Sequence, residues 1–188
     1  MKILVVVDMQ KDFIDGALGT KEAQAIVPKV VEKIRNFDGN FVAYTMDFHS
    51  DDLYNYTLEG KKLPIKHCIC GTEGWELNDE VRKAIFYFQN NHSYKNVCCF
   101  EKNTFGCLGL GEYFKKALTE FSEMFSLDFE IEIVGLCTDI CVVSNALLLR
   151  AFFPNCKIIV DSSCCAGTTP EAHEAALKVM QSCQIDVV

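Results

Sequence analysis

Cys141 is the side chain with the clearest capacity for covalent chemistry. It is the penultimate residue of the stretch Gly135-Leu136-Cys137-Thr138-Asp139-Ile140-Cys141-Val142. An alternating, β-branched run over 129–134 precedes that stretch, and a run over 142–151 that is apolar almost all round follows it. The pattern predicts a strand turning into a buried helix. A thiol at such a corner lies near unpaired helix N–H groups and the positive end of the dipole, which lowers its pKa and favours the thiolate. A small buried core cysteine is the competing reading. Asp47, His49 and His67 form a second set. Asp47 and His49 are two apart on an extended chain and share one face, and His67 returns from a long polar loop. Carboxylate with imidazole suits zinc, and also iron or manganese. The lack of a thiolate in the set favours a catalytic over a structural site. A solvated loop pair is the alternative.

The elements that must position these residues alternate. Residues 3–7 are a continuous apolar run, as in a strand buried on both faces of a parallel sheet, and Asp8 closes it. Apolar positions at Ile26, Val27, Val30, Val31, Ile34 and Phe37 predict a helix whose regular part starts at about Pro28, where a missing N–H is tolerated. A second strand over 41–46 ends at Asp47. The loop over 50–75 is long for a compact domain, which points to a functional reason. Leu77, Val81, Ala84, Ile85 and Phe88 mark the next helix, and 96–100 a third strand ending at Glu101-Lys102. After a glycine-rich turn over 106–111, Tyr113, Phe114, Ala117, Leu118 and Phe121 mark a third helix. A fifth strand over 156–160 ends at Asp161. Thr169-Pro170 starts a last helix with Ala172, Ala175, Ala176, Val179, Met180 and Cys183 on its buried face, and 185–187 reads as a short sixth strand.

This alternation, without an internal repeat or a linker, predicts one domain over 1–188. The expected class is α/β: a three-layer α/β/α arrangement around a mostly parallel, doubly wound sheet of about six strands. The net charge of −8 argues against nucleic acid or an anionic membrane as partner. Eleven cysteines at irregular spacing, with no Cys-x-x-Cys pair, do not form a secreted disulfide framework or a zinc ribbon. The amino terminus is too short in apolar length for a signal peptide and no run reaches membrane-spanning length, so a cytoplasmic protein is expected. Open parallel sheets form sites beyond the carboxyl ends of their strands. Those ends are expected to carry Asp8, Asp47 with His49, Lys102, Cys141 and Asp161. Solvated strand ends are the bland alternative for each.

Asp8-Met9-Gln10-Lys11-Asp12-Phe13, Lys102 after the third strand, His67-Cys68-Ile69-Cys70-Gly71-Thr72, the Gly135–Val142 stretch and Asp161-Ser162-Ser163-Cys164-Cys165-Ala166 together make the chain similar to the isochorismatase-like cysteine hydrolases. The best-known members of that family are nicotinamidases (pyrazinamidases). The resemblance covers essentially the whole chain. It implies a catalytic triad of Asp8, Lys102 and Cys141, and an oxyanion hole from the backbone N–H groups of Cys137 and Cys141. It also implies a cis peptide between Leu136 and Cys137. True isochorismatases lack the cysteine, so its presence favours amide chemistry. The implied reaction is nicotinamide and water to nicotinate and ammonia through a thioester, in pyridine nucleotide salvage. Asp8 serves as base, and Lys102 keeps two neighbouring anions tolerable.

The resemblance also implies a divalent metal, zinc first, on Asp47, His49 and His67 that receives the pyridine nitrogen. The fourth ligand is often a histidine where this chain has Asn55. Glu59 is the preferred substitute, with Asp51 or Asp52 as alternatives. Phe13 and Phe105 match ring-stacking positions, for which core packing is the competing reading. Pro64 replaces a tryptophan that lines some members' pockets, and Trp75 lies after the loop. His92, His173 and the Cys98-Cys99 and Cys164-Cys165 pairs read as structural or surface residues. A hydrolase of another small amide, ureido or carbamoyl, is the alternative function, and a thiol redox or metal-binding protein the third. The partner is then a small-molecule amide, with homo-oligomerisation left open.

Overall fold

The computed structural model describes residues 1–91, 96–122 and 129–188, with the side chains of 118–122 excepted. His92 and the side chains of Leu118 and Phe121 therefore lie outside the described residues. Six strands form one sheet: β1 (Lys2–Val7), β2 (Phe41–Asp47), β3 (Asn96–Lys102), β4 (Glu130–Leu136), β5 (Lys157–Ala166) and β6 (Asp186–Val187). Their order is β3-β2-β1-β4-β5-β6, and all five pairings are parallel. A short helix α1 (Lys11–Ile14) follows β1. Helices α2 (Lys21–Asn36) and α4 (Asp79–Asn90) cover one face. Helices α5 (Leu108–Ser122), α6 (Val143–Phe152) and α7 (Pro170–Ser182) cover the other. Ile3, Val5 and Val7 enter the α5–α7 core while Leu4 and Val6 enter the α2–α4 core, which is why the β1 run has no polar face. Strand order reverses between β1 and β4. The ends of those two strands, Asp8 and the Cys141 corner, thus meet at the topological switch point, where connections diverge to opposite faces.

Several local expectations change. The first long helix does not begin at Pro28. It starts at Lys21, with the Thr20 hydroxyl accepting the Ala23 N–H, and Pro28 sits inside it. Gln24 and Pro28 are both exposed, so the carbonyl that loses its donor can be hydrated. The glycine-rich stretch is not a turn throughout: α5 begins at Leu108. A Cβ at Gly111 would lie 2.3 Å from the Phe152 ring, so the glycine lets α5 close on α6. β3 runs on to Lys102 because pairing with β2 continues through Asp47↔Lys102. β5 continues past Asp161 to Ala166, with a register shift between Ile133 and Gly135 on β4. Asp161 is therefore mid-strand. The buried face of α7 is Ala176, Leu177 and Met180; Ala175 and Val179 are exposed. The loop over 50–75 holds a 3-10 turn (Tyr54–Tyr56) and a helix α3 (Leu58–Lys62) capped by the Thr57 hydroxyl. No helix among the described residues is long and apolar enough to cross a membrane.

Two constraints fix the β4 end of the sheet. Gly135 has φ +118°, and a Cβ there would lie 2.2 Å from the Val7 carbonyl oxygen. Lys33 on α2 reaches Glu132 on β4 and Asp161 on β5, both at 2.7 Å. Burial acts against these charges, but their mutual hydrogen bonds outweigh it, holding Lys33 above the ordinary lysine value and Asp161 below the usual carboxylate range. We expect Gly135→Ala to lower unfolding free energy by more than about 2 kcal/mol in urea denaturation. Lys33→Met is expected to cost about 1–3 kcal/mol near neutral pH. Asp161 has its lower pKa in the folded state, so its contribution is present above about pH 4 and is lost as pH falls through the folded value. Lys33 itself stays charged at all pH values below about 10.5, so only its carboxylate partners titrate in the acid range. The gap between wild type and Lys33→Met should accordingly narrow in denaturation curves taken below about pH 4.

Candidate active site

β1 ends in an unusual backbone. Asp8 has φ +47°, and its N–H donates to the Thr45 carbonyl, with the Thr45 hydroxyl also within 3.2 Å. The Thr45 hydroxyl in turn donates to Asp8 Oδ1 at 2.6 Å. One carboxylate oxygen is thus fixed toward β2, and Oδ2 faces inward. Lys102 Nζ lies 2.7 Å from Asp8 Oδ2, 3.4 Å from Cys141 Sγ and 3.4 Å from Asp47 Oδ1. All four side chains are buried. Asp8 Oδ2 has no aligned hydrogen bond, which leaves it an acceptor site for a further donor.

Cys141 lies in a five-residue π-helical turn (Thr138–Val142) between β4 and α6. The Cys137 carbonyl accepts both the Ile140 and Val142 N–H groups, and a cis peptide joins Leu136 to Cys137. Asp139 accepts the Thr168 N–H and hydroxyl, and the Thr138 hydroxyl lies 2.8 Å from His173 Nδ1, so the start of α7 holds the corner from outside. His173 is thereby a support for this turn.

The electrostatics differ from the expectation for a strand-to-helix corner. Burial and the Asp8 carboxylate push the Cys141 thiol well above its usual range, and Lys102 offsets only part of this. Dry surroundings and the neighbouring Asp8 and Asp47 carboxylates favour the thiol over the thiolate. Burial also raises the Asp8 carboxyl against the pull of Lys102, bringing it toward the range of a useful proton acceptor. Burial alone would lower Lys102; Asp8 first, Cys141 when it is a thiolate, and Asp47 outweigh it and keep the ammonium charged.

The second set assembles beside the first. Beyond Asp47, the His49 N–H donates to the Cys68 carbonyl and the Cys70 N–H to the His49 carbonyl, so the returning loop pairs as a short parallel bridge. That pairing carries His67 to His49, with ring centroids 4.9 Å apart. Ligand atoms of Asp47, His49 and His67 lie within 4.8 Å of one another, and all three residues are buried. His49 Nε2 lies 2.8 Å from Asp47 Oδ2 and makes no hydrogen bond among the described residues. His67 Nδ1 sits 2.9 Å from the Ile65 carbonyl, which can only accept, so Nδ1 carries a hydrogen and Nε2 faces the cluster. Burial opposes a proton on that ring, yet Asp47 and Glu59 raise His67 to about 10. A divalent cation competes for the same lone pair. Burial likewise works against the Asp47 charge, but His49, His67 and Lys102 hold its carboxyl well below the usual range. A buried His49 nitrogen that makes no hydrogen bond, an oriented His67 ring and a stable carboxylate fit a divalent cation.

Glu59, at the start of α3, lies 3.7 Å from His49 Nε2 and 3.5 Å from His67 Nε2. Asp51 instead pairs outward with Lys66, and Asn55 and Asp52 are exposed. Phe13 packs on His67 at 5.4 Å, and Phe105 is 48% exposed on the loop after β3. Asp161 does not join the cluster, because it is held mid-strand by Lys33. All eleven cysteines are unpaired in disulfide terms, with Cys164 and Cys165 buried and Cys99 exposed.

Four supporting residues were assigned no role from the sequence, although Gln10 and Asp12 lie in the Asp8–Phe13 motif. The Gln10 amide accepts the Asp47 N–H and donates to the Asp47 and Trp75 carbonyls, fixing the end of β2. Asp12 accepts the Cys68 N–H beside His67. Tyr54 packs edge-on against both histidines. Thr45 orients Asp8. Each lies far in sequence from the group it supports, apart from Tyr54, so only a rule linking motif to motif could have found it.

Residues 2–188 match the isochorismatase domain model. An uncharacterised isochorismatase family protein, PncA of Bacillus subtilis, is 31% identical over 183 residues, covering 94% of this chain and 92% of its own. The nicotinamidase/pyrazinamidase of Mycobacterium tuberculosis is 28% identical, covering 100% and 98% of the two chains. The crystal structure of pyrazinamidase of Pyrococcus horikoshii in complex with zinc superposes with a TM-score of 0.75 at 25% identity, over 100% of this chain and 98% of the other. The sheet, its switch point and the full-length matches agree: this chain belongs to the isochorismatase family.

Proposed function

We propose that this protein is an amidohydrolase that converts nicotinamide and water to nicotinate and ammonia through a thioester on Cys141. The observation that carries this reading is the single ammonium of Lys102, within 2.7 Å of Asp8 Oδ2 and 3.4 Å of Cys141 Sγ. The family match and relatives named as nicotinamidases support it.

The steps follow from the charges. Asp8 Oδ2 takes the proton of Cys141, and Lys102 stabilises the thiolate so formed. Sulfur attacks the amide carbonyl carbon, and the backbone N–H groups of Cys137 and Cys141 are assigned to the oxyanion. Asp8 returns its proton to nitrogen as the C–N bond breaks and ammonia leaves. It then takes a proton from water, whose oxygen attacks the thioester; the C–S bond breaks, and the thiol regains its proton. Because burial and Asp8 favour the thiol, the thiolate forms as Asp8 accepts its proton.

Asp47, His49 and His67, with Glu59 alongside, are the residues that would hold a divalent cation, zinc by the chemistry of the donors. When bound, the cation supplies an electrophilic anchor for the pyridine nitrogen. Phe13 then provides an aromatic wall on the His67 side.

Cys141→Ala should lower ammonia release from nicotinamide by about a thousandfold or more while the far-UV spectrum and melting temperature hold. Retained turnover would overturn the nucleophile assignment. Stripping the protein with a chelator, and verifying metal content by atomic emission, should raise KM for nicotinamide far more than it lowers kcat. An unchanged KM in metal-free protein would remove the anchoring role.

A further inference from the structure

α6 is apolar almost all round, yet it carries a fully buried asparagine one turn after Cys141. A polar side chain in such a place is stable only if its hydrogen bonds are made. Asn145 makes three. Its Nδ2 donates to the Cys141 carbonyl at 2.8 Å and to the Phe105 carbonyl at 3.2 Å, and its Oδ1 accepts the Cys107 N–H at 2.9 Å. The amide therefore joins the nucleophile's own backbone to the loop between β3 and α5.

That loop has reason to need a fastening. It leaves β3 directly after Lys102, and Phe105 stands 48% exposed on it. A Cβ at Gly106 would lie 3.4 Å from Leu148 and from the Ser144 carbonyl, so the loop is seated against α6. Further on, Gly111 packs beneath Phe152. Residues 145, 148 and 152 are spaced three and four apart, which puts them on one face of α6, and Cys141 lies one turn before them in the π-helical turn. Along that face Asn145 supplies directed bonds where the others supply only packing.

We infer that Asn145 is a positioning residue: it sets the distance between Cys141 and the Phe105 ring, and so fixes where an aromatic amide's ring lies relative to the sulfur. The inference rests on the aromatic-amide reading for the role of the ring, while the fastening itself is independent of any substrate. Asn145→Leu keeps the branched shape at a larger volume and removes all three bonds. It should speed hydrogen exchange at the Cys107 amide and raise KM for nicotinamide by about three- to tenfold, the worth of one aromatic contact, with a smaller change in kcat. Alkylation of Cys141 by iodoacetamide, a reagent too small to use the ring, should keep its rate.

In a Phe105→Ala background, which raises KM by itself, the Asn145→Leu effect on KM should vanish. A residue acting only on stability would add its effect unchanged in that background or leave KM alone, and either outcome overturns the positioning role. Unaltered exchange at the Cys107 amide overturns the fastening whatever the substrate. Absence of nicotinamide turnover in the wild type would instead overturn the functional reading, and the exchange and alkylation measurements would still decide the fastening. Asn145→Ser, smaller and still polar, serves if the leucine variant does not fold, with the same outcomes expected.

Discussion

The interaction on which the site depends is the buried ammonium of Lys102. It stands among two carboxylates, Asp8 and Asp47, and the Cys141 sulfur. Two carboxylates in a dry interior are tolerable only with a countercharge at this range, and loss of one partner from such a group typically costs about 3–5 kcal/mol. Lys102 also joins the two halves of the site. Its partner across the sheet is Asp47 itself, through the last register pair of β2 and β3. The carboxylate that faces the histidines and the carboxylate that faces the thiol thus share one cation.

This arrangement explains why the thiol is favoured over the thiolate. A helix corner next to a lysine favours a low pKa, but burial and an adjacent carboxylate oppose it and win. The proposed proton acceptor is shifted in a complementary way, since burial raises Asp8 while Lys102 restrains the rise. Pairs of groups moved by the same dry surroundings are what proton transfer in both directions requires. In this fold the dryness comes from the switch point, where β1 and β4 end side by side beneath loops from both faces.

The loop over 50–75 is held less by its own structure than by its returns to fixed points. His49 pairs with Cys68 and Cys70, Asp12 holds the Cys68 N–H, and Gln10 clamps the backbone of Asp47. Each of these anchors belongs to the segment just after β1 or to the end of β2, so the cluster of Asp47, His49 and His67 inherits the rigidity of the sheet. Tyr54 fills the space between the two rings and the outer loop.

The sequence by itself determined the alternation of strands and helices, and with it the parallel sheet, because apolar period and run length report burial directly. It also marked Asp8, Asp47, Lys102 and Cys141, since a reactive residue type at the end of an apolar run stands out locally, while His49 was read from its spacing to Asp47 and His67 from the loop and the family resemblance. The tertiary structure decided which of the strand-end charges meet. Asp161 carried the same local signature as Asp8, yet the sheet continues past it and Lys33 claims it. The structure also decided protonation, which depends on burial and on neighbours brought in across the sheet rather than along the chain. The supporting roles of Gln10, Asp12, Thr45 and Asn145 were not legible in the sequence for the same reason: a hydrogen bond spanning dozens of residues leaves no periodicity to read.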